Sequence, residues 1–184
     1  MKLILIRHGN TEANEKHLYC GSTDLPLSEA GRAVLVPRTL PELPGLRIVT
    51  SGLLRCEQTL EALYGDVPHE QDPAFCEMDF GAFEMRSYEQ MKDEPAYQAW
   101  ISGDNEANVC PGGESGNQMR ARVLAALDRL LSDGRDVLLV THGGVIAAIM
   151  AHLFPEETKN RYQWQPSPGG GYIADLTNKN YGPY

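Results

Sequence analysis

Two short apolar runs, each closed by histidine and glycine, constrain this chain more than any other feature. The first is Leu3-Ile4-Leu5-Ile6, followed by Arg7-His8-Gly9-Asn10-Thr11-Glu12. The second is Asp136-Val137-Leu138-Leu139-Val140-Thr141, followed by His142-Gly143-Gly144. Runs of this length, bounded by polar and turn-forming residues, read as strands buried on both faces. In open α/β sheets, ligands bind beyond the carboxyl ends of such strands. If the two strands are neighbours, His8 and His142 face one another at that edge.

An imidazole beside a guanidinium suits phosphate chemistry. Arginine offers a planar fork of donors that matches phosphate oxygens. A neutral imidazole carries a lone pair that can attack phosphorus or accept a proton. Gly9 would let backbone N–H groups approach an anion. Taken alone, Arg7-His8-Gly9 reads more simply as a strand-end histidine bonded to a nearby carbonyl. The rest of the chain has to shift that balance.

After the first strand, Asn10 to Leu27 is expected to be a long polar loop, and structureless loops of this length are usually functional. Ser28 is an expected N-cap, with a helix to Leu40 that is interrupted by Pro37. Arg47 to Ser51 reads as a second strand. Leu53 to Leu63 reads as a helix with Leu54, Leu60 and Leu63 inward. Arg55 near its start opposes the helix dipole, which suggests an anion holding it, although alone it reads better as a solvated surface residue. His69 to Asp72 is a weak third strand.

Glu77-Met78-Asp79-Phe80-Gly81-Ala82-Phe83-Glu84 gathers three carboxylates among aromatics. Apolar neighbours raise a carboxyl pKa and can ready it for general acid work; a capping or surface cluster is an equally good reading of the stretch alone. Met85 to Pro111 is distinct in composition, with short helical pieces at Tyr88 to Met91 and Ala96 to Ile101, and reads as an insertion over the site. Pro111-Gly112-Gly113-Glu114-Ser115 leads into an amphipathic helix to about Leu131, with Val123, Leu124, Leu127, Leu130 and Leu131 inward. An apolar helix, Val145 to Leu153, follows the second histidine–glycine run. Tyr172 to Leu176 is an expected edge strand.

At 184 residues the chain is expected to be one domain, 1–184, and its 42% apolar and 22% charged content is that of an ordinary globular protein. Sixteen basic against 25 acidic residues give a formal net charge of −9, which argues against nucleic acid and anionic membranes as partners. A phosphate site here needs a local positive pocket in a negative field. The apolar run after Lys2 ends at Arg7, too short for a signal peptide, so a cytoplasmic protein is expected. Cys20, Cys56, Cys76 and Cys110 form no metal-like spacing, and reduced thiols are expected, with no metal or cofactor.

Five stretches together resemble the histidine phosphatase superfamily, the phosphoglycerate-mutase-like group. They are Arg7-His8-Gly9 with Thr11, Asn14 and Gly21-Ser22-Thr23-Asp24; Ser51-Gly52-Leu53-Leu54-Arg55-Cys56-Glu57-Gln58-Thr59; Glu77 to Gly81 with Glu84; Pro111 to Ser115; and Thr141-His142-Gly143-Gly144. No single stretch is specific; the five in order are. The sequence departs from the usual family pattern at Cys56, where alanine is common, at Met85, where glycine is common, and at the run Gly169-Gly170-Gly171.

The resemblance implies a metal-independent phosphatase working through a phosphohistidine. His8 would be the nucleophile and Glu77 the proton donor. Arg7, Arg55 and His142 would hold the phosphoryl oxygens, and Asn14, Cys20, Gly21 and Gly143 would line the phosphate or substrate. The expected fold class is α/β, a three-layer αβα sandwich. Its sheet would be mostly parallel with one antiparallel edge strand, helices would cover both faces, and a lid-like insertion would lie at about 85–111.

A small-molecule phosphate monoester is the expected partner, of the α-ribazole phosphate or sugar phosphate type. The lid carries Arg86 and Lys92 against Glu89, Asp93, Glu94, Asp104 and Glu106, a net 2 − 5 = −3, which disfavours the doubly anionic substrate of a phosphoglycerate mutase, the alternative within the family. A non-catalytic phospho-ligand binder would be expected to lack the nucleophile or the acid, and both His8 and Glu77 are present.

Overall fold

Along β1 (Lys2–Arg7) successive side chains go to opposite faces, and both faces are covered. Leu3 and Leu5 pack in one apolar cluster, Ile4 and Ile6 in the other, and all four are fully buried. β4 (Val137–Thr141) divides in the same way, with Val137 and Leu139 on the first side and Leu138 and Val140 on the second. Helices α6 (Gly116–Leu131) and α7 (Gly143–Leu153) fill the first face; α3 (Leu54–Tyr64) fills the second through Cys56, Leu60 and Leu63. The result is the expected three-layer arrangement. The computed structural model describes residues 1–104 and 106–184, so residue 105 of the expected insertion lies outside the described residues.

The sheet is completed by β2 (Arg47–Thr50), β3 (Glu70–Gln71), β5 (Gly171–Asp175) and β6 (Asn180–Pro183), in the order β3-β2-β4-β1-β5-β6. β1, β2, β3 and β4 pair in parallel; β5 runs antiparallel to both β1 and β6. The antiparallel strand expected at the edge is therefore an inner strand. The edge is β6, which the chain reaches by a tight turn after Asp175, and its Asn-Tyr-Gly-Pro sequence carries too little apolar signal to be read as a strand.

Three further expectations are corrected. The polar stretch after β1 is not structureless: α1 (Glu12–Glu15) forms a single turn, because Thr11 and Asn14 close a reciprocal capping box. Ser28 does cap α2, but that helix spans only Glu29–Ala33, and the chain beyond Val34 runs irregularly past Pro37. Leu54, expected inward, is 40% exposed; Cys56, Thr59, Leu60 and Leu63 form the buried stripe of α3 instead.

The stretch expected as an insertion contains α4 (Tyr88–Met91) and α5 (Pro95–Ile101). Tyr97 and Trp100 of α5 pack edge-on against Tyr19, and Phe83 packs against both Tyr97 and Trp100. Aromatic pairs of this geometry add about 0.5–1.5 kcal/mol each beyond area burial.

The turn between β1 and α2 is packed without slack. A Cβ on Gly31 would lie 2.2 Å from the Asn10 carbonyl oxygen, whereas one on Gly45 (φ +72°) would meet nothing within 4 Å. Gly31→Ala is expected to cost more than about 2 kcal/mol in urea unfolding, because backbone and not a flexible side chain must move. Gly45→Ala, strained only in φ, is expected to cost about 1 kcal/mol. Equal losses would show that the Asn10 approach is not tight.

Candidate active site

Register fixes the centre of the site. Arg7 of β1 pairs with Thr141 of β4, and the His8 N–H donates to the Thr141 carbonyl at 2.9 Å. The next residue on each strand is a histidine, and the two rings meet edge to face with centroids 5.1 Å apart. The His8 Nδ1 lies 2.7 Å from its neighbour's carbonyl, Gly9 O. A carbonyl can only accept, so Nδ1 carries the proton and Nε2 keeps its lone pair. The bond to a nearby carbonyl expected of a strand-end histidine is therefore present, and it fixes the tautomer of the ring.

His8 is 6% exposed, and burial pushes its pKa down to about 3, with the Arg55 charge acting in the same direction. His142 is fully buried. Its pKa is also pushed well below the imidazole range, by burial first and then by Arg55 and His8. Its Nδ1 accepts from Arg55 Nε at 3.4 Å, and its Nε2 lies 2.9 Å from Ser51 Oγ. The Cys56 Sγ sits 3.6 Å from the same Nε2, and burial pushes that thiol's pKa up to about 12.

Arg55 is 1% exposed, which overturns its reading as a solvated surface residue. Backbone carbonyls hold it: its Nη1 and Nη2 donate to those of Thr23 (2.8 Å) and Gly21 (2.7 Å). Arg7 donates from Nη1 to Pro166 O at 2.9 Å, while its Nε is buried without a partner among the described residues. Burial lowers the Arg7 pKa and the charge of Glu77 opposes that. An orphaned buried N–H on a cation is costly unless an acceptor arrives to fill it.

Glu77 lines the same cavity as Arg7. Its Oε2 accepts the Gly144 N–H in the first turn of α7 at 2.8 Å, and Oε1 accepts the Met78 N–H at 3.0 Å. A Cβ on Gly144 would lie 2.4 Å from Glu77 Oε1 and would push that carboxylate from its place. Arg122 of α6 secures the backbone beneath: it donates to Ala74 O, Cys76 O and Glu77 O and pairs with Glu114 at 2.7 Å. Glu114 in turn accepts the Asp79 N–H. The Pro111-to-Ser115 stretch thus acts by bracing the acidic segment.

Arg7, Glu77, Cys20 and Gly144 line a cavity of about 450 Å³ whose walls include Tyr19, Phe80, Trp100 and Tyr162, with Arg161 and Gln165 also lining it. A larger groove of about 810 Å³ lies elsewhere, between α1 and α2. It is lined by Glu12, Glu15 and Glu29 with apolar residues and its lining includes no cation, so it does not suit a phosphate.

The secondary residues behave differently from one another. Asn14 engages its Oδ1 with the Thr11 N–H and hydroxyl. Gly21 gives its N–H to Glu84 and its carbonyl to Arg55, so it acts on the site through Arg55. The Gly9 N–H is taken by Thr59 Oγ1 at 2.9 Å, against the expectation that it approaches an anion. At Gly143 a Cβ would meet Gln165 Oε1 at 2.9 Å and Arg7 Cζ at 3.4 Å, which explains the small residue. Ser51, Thr59, Arg122 and Gln165 are site residues that no sequence pattern singles out by role. Ser51 alone carries a usable signal, as the residue ending a strand parallel to the other two.

The descriptions of known proteins agree with this geometry. The sequence model of the histidine phosphatase superfamily (branch 1) matches residues 3–181. The chain is 34% identical over 184 residues to adenosylcobalamin/alpha-ribazole phosphatase of Salmonella typhimurium, covering 96% of this chain and 91% of that protein. It is 29% identical to a probable phosphoglycerate mutase, GpmB, of Yersinia enterocolitica, covering 83% and 74%. Among solved structures, a phosphoglycerate mutase from Thermus thermophilus superimposes with a TM-score of 0.73 at 30% identity, covering 95% of this chain and 93% of that one. With its matched span and this edge of paired histidines, the chain belongs to the histidine phosphatase superfamily.

Proposed function

We propose that the chain hydrolyses a small phosphate monoester through a phosphohistidine on His8, in one domain spanning 1–184 with 85–111 as a lid, in the cytoplasm. The observation that carries this is the His8 ring: neutral, with Nδ1–H on Gly9 O and Nε2 left as the free lone pair beside Arg7, Arg55 and His142. In the first step Nε2 attacks phosphorus, the P–O ester bond breaks, and Glu77 gives a proton to the leaving alcohol. In the second, water attacks the phosphohistidine with Glu77 as base, the P–N bond breaks, and inorganic phosphate leaves. The orphaned Arg7 Nε gains its acceptor from a phosphoryl oxygen. His142 takes a proton at Nδ1 as the dianion binds, and Arg55 Nε turns from His142 to the same group.

The substrate reading is α-ribazole phosphate or a similar ester. Its planar heterocycle matches walls built from Tyr19, Phe80, Trp100 and Tyr162. These walls and the lid's net charge of −3 favour a leaving group without a carboxylate. A mutase acting on 3-phosphoglycerate would need a cation for that carboxylate; Arg161 lines the cavity but is paired with Glu106.

Three outcomes are expected. His8→Ala abolishes turnover, and brief mixing with labelled substrate leaves an acid-labile, base-stable phosphoryl group on the wild type only; label on a serine or cysteine would overturn the mechanism. Glu77→Gln slows phosphorylation by an alkyl phosphate about 10²–10⁴-fold in single turnover, and by far less with p-nitrophenyl phosphate, whose leaving group needs no proton. Equal losses for the two would make Glu77 a positioning residue.

The third outcome concerns pH. The His8 pKa is near 3 in the folded protein and near 6.5 unfolded, so the unfolded chain binds more protons in between. Stability is full above about pH 6.5 and falls as pH drops, by about 1.4 kcal/mol per pH unit for each such histidine. Urea unfolding at pH 7.5 and pH 5 is expected to show a smaller drop in His8→Gln than in the wild type. An NMR titration of His8 with a midpoint between pH 5 and 7 would contradict the buried neutral ring.

A further inference from the structure

Glu84 stands outside the machinery described above, yet its carboxylate gathers five donors. It accepts the N–H groups of Gly21 (2.9 Å), Ser22 (3.0 Å), Thr23 (3.3 Å) and Phe80 (3.0 Å), and the Thr23 hydroxyl (2.7 Å). Three successive N–H groups converging on one anion form a nest. The Gly21 and Thr23 carbonyls of this same short loop accept from Nη2 and Nη1 of Arg55, whose Nε donates to His142. The loop is also seated without slack, since a Cβ on Gly21 would lie 1.6 Å from Met78 O.

We propose that Glu84 is a positioning residue for phosphoryl transfer: it orients Arg55 through the Gly21–Thr23 loop, with one peptide layer between the two charges. A carboxylate in direct contact would fix Arg55 equally well. It would also neutralise the cation that a phosphate dianion needs. Among the described residues no carboxylate pairs with Arg55. Carbonyl oxygens aim the fork and leave its net charge in place, while the anion that orders those carbonyls stays behind the loop. The arrangement is a fixed set of dipoles around one charge, so that the two Nη groups are preorganised and only Nε exchanges its partner when the phosphate arrives.

This rests on Arg55 binding the phosphoryl group, and the test separates the two claims. The readouts are kcat/KM for p-nitrophenyl phosphate and competitive inhibition by inorganic phosphate. They are compared in the wild type, Glu84→Gln, Arg55→Lys and the double variant. Glu84→Gln turns one acceptor into an NH2 facing N–H donors, and lysine lacks the fork the carbonyls hold. Glu84→Gln is expected to lower kcat/KM about 30- to 100-fold and weaken phosphate about tenfold, while in the Arg55→Lys background the added loss stays within about threefold. The same factor in both backgrounds, or no loss in Glu84→Gln, overturns the proposal and leaves the phosphatase reading standing. Full activity in Arg55→Lys would instead remove Arg55 from the phosphate site. If Glu84→Gln does not fold, Thr23→Val removes one donor and keeps the carboxylate; it is expected to show a smaller loss, again confined to the Arg55 background, and equal losses in both backgrounds overturn the proposal.

Discussion

The last rung of the β1–β4 ladder, the His8 N–H on the Thr141 carbonyl, is the contact on which the rest of the site depends. Parallel pairing with Arg7 opposite Thr141 brings the two strands to the same level, so the residues that follow each strand meet at one edge. A slip of one residue would send every side chain of β1 to the other face, separating His8 from His142 and exchanging the two cores. The buried alternation of Leu3 and Leu5 against Ile4 and Ile6 makes that slip prohibitive. The geometry of the site is thus specified by apolar residues of the strand interior, away from its open edge.

Burying two guanidiniums and two imidazoles at one point is electrostatically unfavourable, and the structure offsets this without direct carboxylate partners. Arg55 is held by carbonyls and Arg7 by one carbonyl, while both histidines stay neutral. The chain's acidic composition, formally −9, makes this local excess of positive potential distinct from its surroundings. Of these two cations, Arg7 lines the cavity of about 450 Å³, whereas Arg55 is 1% exposed and does not reach its wall.

How far the sequence reveals this depends on the range of the interaction. The strands ending in His8 and His142, the Ser28 cap and the buried stripe of α6 are local patterns, and they are legible in the residues themselves. α2 is shorter than its sequence suggests because past Ala33 only Leu35 enters the core while Val34 and Val36 stay exposed, and Pro37 closes the option. β6 escapes a reading by pattern because its pairing with β5 is set by a turn and by aromatic contacts such as Trp164 on Tyr181, not by its own apolarity. Arg55 reads as a surface residue for the same reason: what buries it is a loop more than thirty residues away. Local chemistry marks a residue as unusual, and only tertiary contacts say what satisfies it.

Met85 joins these two scales. It adopts φ +60°, a left-handed conformation that costs a side-chain-bearing residue about 1 kcal/mol or more and that glycine takes freely. The position is one where the resemblance to the superfamily leads one to expect glycine, so the backbone shape is kept while the residue that eases it is not. Two hydrogen bonds hold the strained turn: Met85 N–H to Tyr19 O at 2.7 Å, and Tyr19 N–H to Arg86 O at 3.0 Å. This clamp joins Met85 and Arg86 to the stretch that carries Tyr19 and Cys20 into the cavity wall. Glu84, one residue earlier, binds the next turn of that same stretch. Strain at Met85 and order at Glu84 are therefore two sides of one junction. The glycine missing at 85 is tolerated because the neighbouring carboxylate and the Tyr19 clamp over-determine the backbone there.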